Sequence, residues 1–401
     1  MRFKTVALLI LTVAFVWGCE KAIVKCPSPE DNPQHHYLRG MEALEQGKPD
    51  TAKEKFDRAL YCEEKFPIAY AGLAIAGAEK AKAQADPAFK KVEMEKVFAS
   101  LKKAEDLSET DNDKFAYGLA TIRVHTALKD DDWLEKAADA FKEASGLKVD
   151  EKTLLYYQGK EAADYFMGVA YLSALEFQKA RDKFADVLNS KREGKWHEKA
   201  DKGWKRVDKI VRAMAGITVG DAAKKIAVKE SVTRGDLAAL LIDELKIEKL
   251  FAGRIPVESE VAKMQAEFTP ADIAGHQFKE EVLTVMKWKV RGLEPKYEES
   301  SKAYLFKPDD PVMRMEMAFI LEDVLLKLTG DEKIATAFFG QEKSPFPDVR
   351  PTAPVYNAVM NMVSRGIMEP ELSGEFRVDA NVDGAEALLA IRVLRQKMNI
   401  Y

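Results

Sequence analysis

Between residues 35 and 190, small and large apolar residues recur with the period of an α-helix. A small apolar residue is followed four positions later by a large one, then three later by a small or apolar one. The sets are Ala52/Phe56/Ala59, Val97/Leu101/Ala104, Ala137/Phe141/Ala144 and Ala180/Phe184/Val187. Spacings of four and three put the members of each set on one helical face. Each set is preceded by a segment carrying a glycine where two helix backbones would approach: Gly40, Gly72, Gly118 and Gly168. The pattern predicts paired antiparallel helices stacked side by side. The aromatic run Tyr156, Tyr157, Tyr165, Phe166 and Tyr171 reads as the core of such a stack.

From about residue 200 a different pattern occurs three times. Ile226-x-Val228-x-x-x-Val232-Thr233-Arg234-Gly235-Asp236 aligns with Phe306-x-Pro308-x-x-x-Val312-Met313-Arg314-Met315-Glu316 and with Phe376-x-Val378-x-x-x-Val382-Asp383-Gly384-Ala385-Glu386. Each block runs directly into an apolar helical stretch: residues 237–245, 317–328 and 387–398. Thr233 followed three residues later by Asp236 has the form of a capping box, so Thr233, Asp236, Glu316 and Glu386 are expected to support helix starts. Gly292 and Gly366 suit helix ends that need positive φ. The span from Gly292 to Phe306 is four residues longer than that from Gly366 to Phe376. The whole pattern predicts an all-α protein.

The N-terminus has another character. Arg2 and Lys4 precede an apolar run over residues 5–16, and Gly18 leads into Cys19. The uncharged stretch is short for a membrane-crossing helix and reads as an export signal. Residues 19–34 hold Pro27, Pro29 and Pro33 and read as a tether.

Composition narrows the function. The 62 Lys and Arg nearly balance the 66 Asp and Glu of the 401 residues, for a formal charge of −4, which argues against a nucleic-acid partner. Residues 179–212 form a basic junction, read as a solvated helix face with a docking surface as the second reading. The five histidines are scattered, and there is no GxxxxGK[ST], GxSxG or HExxH, so no enzyme activity, cofactor or metal is expected.

Three resemblances follow. Gly18-Cys19 resembles the lipobox of bacterial lipoproteins, although Trp17 departs from its usual small residue; this implies acylation of Cys19 and a membrane anchor. Glu20 leans towards the periplasmic side of the outer membrane. With Cys19 lipidated and export to an oxidising compartment, Cys26 and Cys62 are left to pair, and antiparallel helices bring them together. Tyr37-x-x-Gly40-x-x-Ala43…Phe56 and Ala163-x-Tyr165-x-x-Gly168-x-x-Tyr171…Phe184 resemble tetratricopeptide repeats. Their implied partner is a protein or peptide held in a groove. The threefold block, with Phe346-Pro347-Asp348-Val349 and Arg365-Gly366-Ile367 upstream, resembles the S-layer homology repeat. That family's fold implies three repeats whose grooves bind cell-wall glycan or peptidoglycan, often through a pyruvylated sugar. Arg234 and Arg314 occupy the position of its carboxylate-binding arginine, and Gly384 replaces the third.

The expected organisation is a signal at residues 1–18, a tether at 19–34, tetratricopeptide-like helices at 35–198 and three S-layer homology repeats at 199–401 (about 199–250, 269–330 and 346–401). The expected function is a lipid-anchored envelope protein that binds wall polymer and uses its helical array as an adaptor. The alternative is a periplasmic scaffold for assembly or secretion.

Overall fold

A computed structural model describes residues 25–26, 28–190, 193–252 and 268–398. The signal and Cys19 lie outside the described residues. The chain divides into two compact units, Met1–Ala120 and Thr121–Tyr401. Among the described residues the architecture is helical, with a single pair of short strands. No described helix is long and apolar enough to cross a membrane.

In the first unit, α1 (Pro33–Glu45), α2 (Pro49–Cys62), α3 (Pro67–Lys82) and α4 (Pro87–Leu107) pack on one another in sequence order. All four start with proline, whose fixed φ suits a helical first turn and whose missing N–H costs nothing there. Phe56 of α2 is fully buried between α1 and α3. A Cβ on Gly40 or on Gly72 would lie 2.5 Å from its ring, so both glycines are required by the close approach. Cys26 and Cys62 are joined by a disulfide with Cα atoms 5.5 Å apart, tying the segment before α1 to the end of α2. Asp31 reinforces that tie by accepting from Arg58 Nε at 2.9 Å and pairing with His36 at 2.8 Å. Arg58 first and His36 second hold its carboxyl down at about 2. The division between the units falls within α5 (Asp111–Leu128).

The second unit continues with α6 (Trp133–Gly146), α7 (Glu161–Ser173), α8 (Phe177–Asn189) and α9 (His197–Met214). Phe184 of α8 repeats the role of Phe56: a Cβ on Gly168 of α7 or Gly203 of α9 would lie 2.8 or 2.9 Å from its ring. Tyr156, Tyr157, Tyr165 and Phe166 pack around the buried Trp196, whose Nε1 donates to the Tyr157 carbonyl at 2.6 Å, while Tyr171 packs on Ile122, Ala137, Met167 and Ala170. α9 also packs on the last helix of the chain and so belongs to both halves of this unit.

The rest of the unit is built on the threefold pattern: α10 (Asp221–Ala227), α11 (Arg234–Asp243) and α12 (Ile247–Ala252); α13 (Lys279–Lys287), β1 (Lys296–Glu298), β2 (Ala303–Leu305) and α14 (Arg314–Thr329); α15 (Tyr356–Ser364) and α16 (Gly384–Lys397). The three blocks close on one another through their backbones. Val232 N donates to Val382 O at 2.8 Å, Val312 N to Val232 O at 3.0 Å, and Val382 N to Val312 O at 2.9 Å. This ring satisfies backbone groups that would otherwise be buried and unpaired beneath three apolar helices. Ile226, Phe306 and Phe376 are buried around it. Gly216, Gly292 and Gly366 have φ of +73°, +91° and +64° and turn the chain after each first helix. The longer span of the second block forms the antiparallel hairpin, in which Tyr297 pairs with Tyr304.

Candidate functional site

Each block grips the next through the start of its long helix. Thr233 caps α11: its Oγ1 accepts from Asp236 N at 3.2 Å while Asp236 accepts from Thr233 N at 3.0 Å. Lys229 Nζ donates to the Asp236 carboxylate at 2.7 Å. Glu316 accepts from Met313 N at 3.0 Å. Asp383 caps the third block, accepting from Glu386 N at 2.8 Å, while the Glu386 side chain pairs with Arg314.

Arg234 and Arg314 follow those caps, and the fold turns both inward. Each is only 3% exposed. Arg234 donates from Nε to Phe306 O at 2.9 Å, from Nη1 to Gly292 O at 2.8 Å and from Nη2 to Glu294 O at 2.9 Å. Its guanidinium also lies over the Phe306 ring, 4.8 Å from the centroid. Burial pushes its pKa below the ordinary arginine value, an effect the charges of Glu316 and Asp310 oppose. Arg314 repeats the clamp with Phe376 O at 2.7 Å and Glu369 O at 2.8 Å, and pairs with the Glu386 carboxylate. This burial differs from the open guanidinium that direct contact with a sugar carboxylate expects. The physical reason is that the turn after Gly292 or Gly366 presents carbonyl oxygens that a planar fork of donors satisfies at once.

Gly384 stands where a third clamp would begin. A Cβ there would lie 1.8 Å from the Ile226 carbonyl oxygen, so the junction closes by direct backbone contact, with Gly384 N donating to Lys229 O at 2.9 Å. Arg206 of α9 bonds Val228 O and Glu230 close by. Two further residues fix the turns: Asp272 accepts from Phe306 N and Lys307 N at 3.1 and 2.6 Å, and Asp348 from Phe376 N and Arg377 N at 2.9 and 2.6 Å. The repeat pattern marks Asp348, within Phe346-Pro347-Asp348-Val349, but not the role of either aspartate as a backbone anchor.

Beside the Arg314 clamp lies an open groove of about 400 Å³. One wall is α9, which presents Lys205, Lys209 and Arg212 at spacings of four and three, with Trp204 beside them. The other wall is the turn of residues 366–372, and the floor includes Leu389, Ala390 and Val393 of α16. Arg314 and Glu386 close its inner end. Burial raises the Glu386 pKa above the ordinary value, while the charges of Arg314 and Lys209 partly offset that shift. Arg212 pairs with Asp208 at 3.0 Å and Lys205 with Asp201 at 2.7 Å. Composition had shown this helix only as a basic junction. That its cations border a groove depends on the packing of α9 against α16, which no local pattern reveals.

Residues 345–388 match the family model of the S-layer homology domain. Residues 345–388 therefore form an S-layer homology domain. The match takes in Asp348, the turn at Gly366, Phe376 and the start of α16, including Glu386. An S-layer homology domain implies binding of cell-wall polymer at the cell envelope. Comparison with curated proteins finds no match, and comparison with solved structures finds none either.

Proposed function

We propose that this protein holds an anionic cell-wall glycan in the groove between α9 and the turn of residues 366–372. The observation that carries the reading is the meeting, in one groove, of the S-layer homology domain with a row of cations and an indole. Lys205, Lys209 and Arg212 supply charge to acidic substituents, and Trp204 offers an apolar face to a sugar ring. Arg314 acts from below by holding the turn that forms the far wall. Arg234 performs the same service one block earlier. With Gly384 in the third block, at most two junctions carry an arginine clamp.

The N-terminal half completes the proposal. Acylation at Cys19, supported by the export-signal pattern, would place the protein on a membrane, with the helical pairs as an adaptor between membrane and wall. A cleft of about 340 Å³ in the first unit, bordered by Asp50, Lys53, Lys80, Glu93 and Lys96, supports a polar peptide or protein as the adaptor's partner. No enzymatic activity forms part of this reading.

The test of the groove is pelleting with purified wall. Lys209→Glu reverses a charge at the inner end of the groove, and its loss of affinity is expected to reach about 1–3 kcal/mol, the scale of a charge-assisted hydrogen bond. Equal pelleting of folded Lys209→Glu and wild type would remove the groove from the account.

A further inference from the structure

The hairpin of the second block exposes three aromatic rings that nothing in the clamps requires. Phe268, Tyr297 and Tyr304 are 41%, 49% and 56% exposed. Tyr297 and Tyr304 are cross-strand partners, so they share one face of the ribbon, with centroids 5.3 Å apart. Phe268 continues the row, 6.2 Å from Tyr304. Beneath Tyr304 and Phe268 opens a cleft of about 610 Å³ with an apolar floor of Met286, Val290 and Leu293. That volume lies within the usual range of small-ligand sites, roughly 300–1,000 Å³. Among the described residues, neither of the other blocks has strands in this span.

Position ties the cleft to the clamp machinery. Glu294 lines it, and the Glu294 carbonyl is the acceptor for Arg234 Nη2. In the next block Glu369 accepts from Arg314 and lines the α9 groove. The cleft is therefore built at the same junction, one block earlier, but with aromatic rings in place of the row of cations.

We propose that this cleft is a second glycan subsite, which takes the uncharged pyranose rings of a wall glycan strand rather than its acidic substituents. A pyranose has apolar C–H faces and a polar hydroxyl edge. Ring faces with phenolic hydroxyls at their tips match both, and the negative face of an aromatic ring attracts C–H groups. The proposal rests on the wall-binding reading above, but its chemistry is separate: the α9 groove reads charge and the hairpin reads ring faces.

The probe is a neutral chain of four N-acetylglucosamine residues, titrated calorimetrically into the full-length protein. Wild type binds it, Tyr297→Thr/Tyr304→Thr binds about tenfold more weakly, and Lys209→Glu binds as wild type does. Threonine keeps strand propensity, so the hairpin is retained. Because the rings are exposed, the melting temperature of the double variant is expected to match wild type. Undiminished binding by the double variant, or no binding by wild type, overturns the subsite, even where wild type still pellets with wall. A melting temperature lowered by several degrees with unchanged sugar binding also overturns it, since the rings would then be packing against protein. Lys209→Glu that pellets with wall as well as wild type, while the neutral chain still binds wild type and is weakened only in the double variant, overturns the groove instead.

Discussion

Arg314 and Glu386 form an ion pair closed away from water, unlike the many pairs along the exposed helix faces. Exposed pairs such as Lys202–Glu198 contribute little because water screens them. In the buried pair each partner makes the other's burial tolerable. Arg314→Ala leaves Glu386 buried and two turn carbonyls without their donor, and is expected to lower stability by about 3–5 kcal/mol in urea unfolding. Arg314→Met combined with Glu386→Leu is expected to recover most of that loss, because it removes both charges together. A loss below about 1 kcal/mol in the single variant would contradict the clamp. The same pair carries a pH signature. Burial raises the Glu386 pKa, so folding favours its protonated form. Its contribution is full below the ordinary carboxyl value and is lost as pH rises through the raised one. Glu386→Gln removes this dependence, so its melting temperature relative to wild type should rise between pH 4 and pH 7.

At the scale of elements, glycines decide how closely helices and blocks approach. Gly40, Gly72 and Gly168 were legible in the sequence because each lies in the segment before one of the recurring apolar sets, and all three face an aromatic ring. Gly203 was not, because α9 is dominated by charged residues that conceal its small position. The hairpin was legible only as extra length, since strands of three residues are too short to show alternation. Gly384 makes the sharpest prediction of this kind. Its neighbour is the Ile226 backbone carbonyl beside the closed ring, which cannot move aside like a side-chain tip. Gly384→Ala is expected to cost about 3 kcal/mol or more, at the upper end of overpacking losses. Gly146→Ala, with nothing within 4 Å of the added Cβ, is expected to stay within about 0.5 kcal/mol of wild type. Equal stability of the two variants, measured by chemical unfolding, would contradict the ring closure.

At the scale of the molecule, the threefold repeat and the all-helical class could be read from spacing alone, because apolar and acidic positions recur at fixed intervals through three blocks. The role of the repeated arginine could not. A pattern gives a residue's place before a helix but not whether a neighbouring turn will supply carbonyl oxygens to bury it, and here the turns after Gly292 and Gly366 do so. The groove was hidden for the same reason: its walls come from α9 and the 366–372 turn, more than 150 positions apart in the chain. What joins them is the packing of α9 on α16, which makes α9 a wall of the groove. The most direct measurement is a binding isotherm of full-length wild-type protein on purified cell-wall sacculi. The expected result is saturable pelleting that soluble muramidase-released wall fragments compete away. Pelleting no greater than that of an unrelated acidic protein would contradict wall binding outright.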